Sequence, residues 1–193
     1  MRINWERGEL RIKIVYYGPP HAGKTTNLQQ LQAMVPQKYR SNLLSLDTYG
    51  DRTLFFDMLQ VNLGKIAGLT PRVSLYTVPG QPRYQRIREI VLRGSDGIVF
   101  VADSAPSRMK ENLILWQEML QYLKRLGLLT RPIIIQANKQ DLPDALEPDY
   151  IREHLLYRGQ SLFAIGAQAK RGIGVRETFT QIVQRVLTPE KQP

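Results

Sequence analysis

Residues 18–25 read Gly-Pro-Pro-His-Ala-Gly-Lys-Thr, a match to the pattern G-x-x-x-x-G-K-[ST]. In such a turn successive backbone N–H groups aim at one spot, and a helix starting there adds the positive end of its dipole. A di- or triphosphate is what that spot binds. Gly18 makes the turn, and the N–H groups from His21, Ala22, Gly23, Lys24, Thr25 and Thr26 form the cradle. The Lys24 ammonium would reach the terminal phosphates and the Thr25 hydroxyl would coordinate Mg²⁺. Pro19 and Pro20 lack an N–H and so withdraw two donors. His21 is either a phosphate neighbour or a solvated loop residue.

A second group of residues suits base recognition. Asn138-Lys139-Gln140-Asp141 fits N-K-x-D at the end of an apolar run, Ile133–Asn138. An Asp141 carboxylate accepts two hydrogen bonds from the N1–H and exocyclic amine of guanine. Adenine offers no such donor pair, and leaving the carboxylate unpaired costs about 1–3 kcal/mol or more. Asn138 would brace the site and the Lys139 stem would lie over the purine. In Gln168-Ala169-Lys170, the Ala169 N–H would meet the guanine O6. Between the two groups lies Leu75-Tyr-Thr-Val-Pro-Gly80-Gln81, where the Gly80 N–H can contact a γ-phosphate and Gln81 can orient a water. Thr53 can place its hydroxyl on Mg²⁺ and its N–H on the γ-phosphate. Both contacts vanish on hydrolysis, which would release the two loops. Asp57 is open between a metal role and a strand-surface carboxylate.

These residues need a scaffold that gathers strand ends. Strand-like runs fall at Leu10–Tyr17, Thr53–Val61, Arg72–Val78, Gly97–Asp103, Pro132–Asn138 and Ser161–Ala167, with a possible short strand at Ile3–Trp5. Helical runs fall at Thr25–Val35, Arg83–Leu92, Ser107–Leu126, Asp149–Tyr157 and Gly174–Leu187. Met109, Leu113, Trp116, Leu120 and Leu123 form a core stripe on one helix, and Val175, Phe179, Ile182 and Val186 another. A turn at Asn62–Leu69 makes the second and third runs an antiparallel hairpin at the sheet edge. The expected fold is a single α/β domain with a six-stranded, mostly parallel sheet, helices on both faces and one antiparallel edge strand. Residues 1–9 form an N-terminal extension, 10–188 the domain and 189–193 a flexible tail. Ligands of such sheets sit at the carboxyl ends of the strands, where every motif above falls.

Taken together, the phosphate loop, Thr53, Gly80-Gln81, Asn138–Asp141 and Gln168–Lys170 resemble a Ras-like small GTPase over essentially the whole chain. Longer blocks, among them Gly23-Lys-Thr-Thr-Asn-Leu28, Arg52-Thr-Leu-Phe-Phe-Asp57 and Asn138-Lys-Gln-Asp-Leu-Pro-Asp-Ala145, resemble the bacterial MglA family of polarity and motility GTPases. The resemblance implies GTP/GDP and Mg²⁺ as cofactors, slow intrinsic hydrolysis, and Lys24, Gln81 and Arg52 as catalytic groups. Arg52 is at the position of an arginine finger supplied by the same chain; without the resemblance it reads as an exposed loop arginine. Thr77 stands where small GTPases usually carry the Asp of D-x-x-G, leaving Thr25 and Thr53 as the metal ligands. Implied partners are a homodimeric roadblock-domain activator of the MglB kind and effectors of the GTP form, the chain itself being monomeric.

Composition bounds the rest. The net charge is +10, from 27 basic and 17 acidic residues, and there is no cysteine. Disulfides and thiol-linked lipids are excluded and apolar runs are only strand-length, so a cytoplasmic protein is expected; recruitment to a cell pole is what the resemblance adds. The charge alone suits nucleic acid, a membrane surface or a nucleotide. Arg83, Arg86 and Arg93 share one helix side, read as a solvated face. Two competing functions follow: a nucleotide-loaded docking adaptor with negligible hydrolysis, and an RNA- or ribosome-associated GTPase, against which the absence of any appended RNA-binding domain counts.

Overall fold

A computed structural model describes residues 1–46, 56–81, 84–155 and 162–188, with only the backbone of Leu46. Among these residues eight strands form one sheet, ordered β3-β4-β5-β2-β6-β7-β8, with β1 paired to β2. The strands are β1 (Arg2–Asn4), β2 (Glu9–Tyr17), β3 (Leu44–Leu46), β4 (Phe56–Asn62), β5 (Thr70–Thr77), β6 (Gly97–Asp103), β7 (Ile133–Asn138) and β8 (Phe163–Ala167). The helices are α1 (Lys24–Met34), α2 (Gln85–Leu92), α3 (Met109–Arg125), α4 (Pro148–Leu155) and α5 (Val175–Leu187). Strands β5, β2, β6, β7 and β8 run parallel, so their carboxyl ends gather along one rim.

Position in the sheet explains composition. β6 and β7 are buried along their whole length, which fits their nearly unbroken apolar sequences and helices over both faces. β5 alternates strictly between half-buried and buried residues, as a strand nearer the edge does. One core lies under α2, α3 and α4, where Trp116 meets Phe100 edge-on at 5.0 Å between ring centres. The other lies under α1 and α5 and contains Leu28, Leu31, Phe179 and Ile182. Both expected stripes, on α3 and α5, face these cores.

Three local expectations change. The sheet has more strands than the six expected, because β1 folds back on β2 and a three-residue β3 adds beyond β4. β4 is therefore not the edge. The short strand named at Ile3–Trp5 is found as β1 at Arg2–Asn4, whereas β3 is too short for periodicity to mark it. The helix expected over Ser107–Leu126 is a tight turn at Pro106–Arg108 followed by α3, with proline at the turn's start, where its missing N–H has no helical partner to lose. Residues 53–55 and 83 lie outside the described residues, so the starts expected at Thr53 and Arg83, and the arginine side that includes Arg83, are not described.

A buried polar cluster ties the start of α1 to β7 and α5. The side-chain amides of Asn27 and Gln136 bond reciprocally at 2.7 and 2.9 Å, and Gln136 also donates to Thr178 at 2.8 Å. Asn27 donates further to the Gly23 carbonyl at 3.0 Å, which joins the cluster to the phosphate loop. Gln136→Leu removes one side of each bond and leaves buried amide groups unpaired. Urea denaturation should show a loss of about 1–3 kcal/mol; an unchanged midpoint would mean that the cluster does not hold these elements.

Candidate functional site

The loop between β2 and α1 is shaped by close approaches. A Cβ on Gly18 would lie 2.2 Å from the Val101 carbonyl oxygen, and the residue's φ is 142°. A Cβ on Gly23 would meet Asn138 Nδ2 at 2.2 Å, and one on Gly80 would meet Pro20 N at 2.2 Å. His21 is exposed and takes a φ of 62°, a left-handed conformation uncommon for a side-chain-bearing residue. Gly23 precedes α1 without a side-chain cap, so the first-turn N–H groups point into the loop's concavity. Lys24 is buried, and its ammonium donates to the carbonyls of Gly18 at 2.9 Å and Pro19 at 2.6 Å. Burial lowers its pKa to about 7; the positive charge of Arg88 acts in the same direction and Asp57 opposes it. Phosphate is the type of anion that would restore the lysine's charge in this setting.

Beside the loop is a cleft of about 390 Å³ lined by His21, Lys24, Thr25, Asp57, Thr77, Gly80 and Gln81. Four oxygen-bearing side chains converge here. Thr25 donates to Asp57 Oδ2 at 2.6 Å, Thr77 donates to the same oxygen at 2.9 Å, and Ser45 donates to Oδ1 at 2.8 Å. The Asp57 N–H donates to Thr77 Oγ1 at 2.8 Å. A neutral Thr77 thus has a carboxylate bonded to it from the neighbouring strand. Oxygen-only donors around one carboxylate fit a hard divalent cation such as Mg²⁺. Thr53 and Arg52 lie outside the described residues.

At the other end Asn138 joins three loops. Its Nδ2 donates to the Ala22 carbonyl at 2.7 Å, and its Oδ1 accepts from the Ala169 N–H at 2.8 Å. That N–H, expected to meet a guanine O6, is therefore shared with Asn138. Lys139 has a φ of 70° and its ammonium bonds Asp103 Oδ2 at 2.6 Å, so its stem is anchored at the tip. Asp141 and Lys170 are exposed, Gln168 and Thr26 half-buried. Gln81 is exposed at the mouth of the cleft.

Sequence reasoning missed several contributors. Arg108 donates to the Pro20 carbonyl at 2.9 Å and stands 3.6 Å from Asp103, tying the phosphate loop to the strand end that holds Lys139. Arg88 is buried beneath Gly80. It precedes the buried Val91 and Leu92 by three and four residues, a spacing that places it on the inward side of α2.

Comparison with known proteins agrees with this arrangement. Residues 3–186 match the ADP-ribosylation factor family, Arf. The chain is 42% identical to the mutual gliding-motility protein MglA of Myxococcus xanthus, over 98% of this chain and 97% of that protein. It is 28% identical to mouse ADP-ribosylation factor-like protein 4D, over 94% and 86% of the two chains. With ADP-ribosylation factor-like protein 6 of Caenorhabditis elegans it shares 26% over 91% and 86%. The fold is thus that of a small GTPase, a guanine-nucleotide switch. The chain belongs to the ADP-ribosylation factor family and, within it, to the MglA-like GTPases.

Two variants test the site. Asn138→Ala removes both bridging bonds and should weaken binding of a fluorescent GDP about 10- to 100-fold, as one or two lost buried hydrogen bonds imply. Asp57→Ala should lower Mg²⁺-dependent nucleotide affinity by about 10–100-fold, with affinity in EDTA little changed. An Asp57→Ala protein that keeps its full response to Mg²⁺ removes that carboxylate from the metal site.

Proposed function

We propose that this chain binds GTP and GDP with Mg²⁺ and hydrolyses GTP slowly until a partner accelerates it. The observation that carries the reading is the convergence of Lys24, Thr25 and Asp57 on one cleft edged by Gly80 and Gln81. Thr25 and Asp57 would hold Mg²⁺, with Thr53 joining them in the GTP form. When bound, the ion neutralises charge on the phosphates. Asp141 would select guanine, and Asn138 would keep base loop and phosphate loop in register.

Hydrolysis needs an in-line water and compensation of the charge on the transferring group. Gln81 is the residue to orient the water, since it follows a glycine held against the phosphate loop. The Lys24 ammonium compensates charge at the β/γ-phosphates, and Arg52 would do so from the segment ahead of β4. Pro19 and Pro20 carry no N–H at two loop positions, so side-chain cations bear more of this compensation than in a glycine-rich loop.

The activating partner would be a homodimeric roadblock-domain protein of the MglB kind, acting on the segments that carry Arg52 and Gln81. The cellular role would be control of polarity or motility, through effectors that bind the GTP form. This follows from the 42% identity to a gliding-motility protein. Among the described residues no helix is long and apolar enough to cross a membrane, so placement at a pole would come from such partners.

Single-turnover conversion of GTP to GDP decides the matter. Arg52→Ala and Gln81→Ala should each leave GTP affinity within about threefold of wild type. Each should lower partner-stimulated hydrolysis by about 10³-fold or more, the scale of an arginine finger. Wild-type protein that retains GTP unchanged even with the partner would instead be a docking adaptor.

A further inference from the structure

Arg88 is the largest fully buried side chain among the described residues, 1% exposed, and it faces the segment that carries Gly80 and Gln81. Its Nε and Nη2 donate to the two carboxylate oxygens of Glu118 on α3, at 2.7 and 2.8 Å. Its Nη1 donates to the carbonyls of Pro79 at 3.1 Å and Gln81 at 2.8 Å. Tyr17, at the end of β2, donates to Glu118 Oε1 at 2.5 Å. The residues on both sides of Gly80 thus hang from one guanidinium nitrogen, and that guanidinium is gripped bidentately from another helix.

A plain structural role for this pair is to join α2 to α3. Apolar side chains would do that without desolvating two charges, and replacing buried ion pairs by apolar groups is often neutral or stabilising. What an apolar pair cannot do is bond two loop carbonyls. The planar fork of arginine can serve a carboxylate on one edge and carbonyls on another, which lysine cannot. Gly80 between those carbonyls lies so near Pro20 that no Cβ fits. Fixing both neighbours therefore fixes where the Gly80 N–H and the Gln81 side chain begin.

We propose that Arg88, anchored by Glu118 and Tyr17, is a positioning residue that holds Gly80 and Gln81 against the phosphate loop for hydrolysis. The inference rests on the GTPase reading above. All four bonds of the Arg88 guanidinium go to Glu118 and to the Pro79 and Gln81 carbonyls, so it would act through the backbone around Gly80 and Gln81. Loss of the clamp should lower the rate of the chemical step and the preference for a γ-phosphate, and leave binding of the GDP portion intact.

The test uses full-length Arg88→Ala, Arg88→Lys and Glu118→Gln. Glu118 is partly exposed and glutamine keeps its shape and one acceptor oxygen, so that variant disturbs the packing least, and circular dichroism with thermal melting checks that each variant is folded. Single-turnover hydrolysis is measured alongside affinities for GDP and for a non-hydrolysable GTP analogue, all with Mg²⁺. Expected are rates lowered about 10- to 100-fold, the scale of a misplaced catalytic group, with Arg88→Lys between wild type and Arg88→Ala. The analogue-to-GDP affinity ratio should fall about tenfold, as loss of one good hydrogen bond implies, with GDP affinity held. Unchanged rates, or equal losses of GDP and analogue affinity, overturn the proposal. Failure of wild-type hydrolysis would instead remove the GTPase reading, and the affinity ratio would still report on Arg88.

Discussion

Everything in this molecule is arranged around a loop whose backbone must stay bare. Three glycines meet neighbours at distances that no side chain survives: Gly18 against the end of β6, Gly23 against Asn138, and Gly80 against Pro20. Two of these contacts are made by β6 and β7, which are parallel, buried on both faces and closely bonded. Their tips are rigid supports. The third comes from the segment after β5, which is outside the sheet and is held by the Arg88 guanidinium. Two sides of the phosphate cradle are therefore fixed by the sheet, and the remaining side by the Arg88 bonds and by Val78, whose side chain is buried in the core under α2, α3 and α4.

The charges follow the same division. On the base side the contacts around Asn138 are neutral hydrogen bonds to backbone groups, with the ion pair of Lys139 and Asp103 at the rim. On the phosphate side Lys24 is buried and within the influence of Arg88. Two cations so placed repel, and each needs compensation. Glu118 supplies it to Arg88 permanently; Asp57 opposes the repulsion at Lys24 only in part. The remaining deficit of negative charge lies in the cleft. That deficit makes the site a phosphate receptor, and it agrees in sign with a chain of net charge +10.

Much of this was legible in the sequence because function here depends on the order of segments along the chain. The alternation of apolar runs and helical stripes gave the parallel sheet, since a βαβ unit has essentially one way to close. The phosphate loop and Asn138–Asp141 each consist of contiguous residues, so their spacing alone announces them. Asp57 was different. Its partner Thr77 is a cross-strand neighbour twenty residues away, and strand pairing of that kind leaves no trace in local spacing. The absence of an Asp at position 77 was visible, but which carboxylate faces the vacancy depends on the register of β4 against β5. Arg88 and Arg108 were hidden for a related reason. An arginine in a charged helix reads as solvated, and only three-dimensional contact shows that its partners are backbone carbonyls.

Placing the metal carboxylate at Asp57, as proposed above, has a structural consequence. An acid at the end of β5 would belong to a strand bonded on both sides, to β4 and to β2. Asp57 instead belongs to β4, whose outer neighbour is only three residues long. Asp57 therefore rests on the β4–β5 pairing, on its bonds to Thr77, and on the hydroxyls of Ser45 and Thr25. Arg52 and Thr53 precede the first residue of this strand by four and three positions in the sequence. In the proposed site the metal carboxylate, the candidate finger and the threonine therefore all belong to one short stretch of sequence, residues 52–57, whereas an acid on β5 would divide them between two separate stretches.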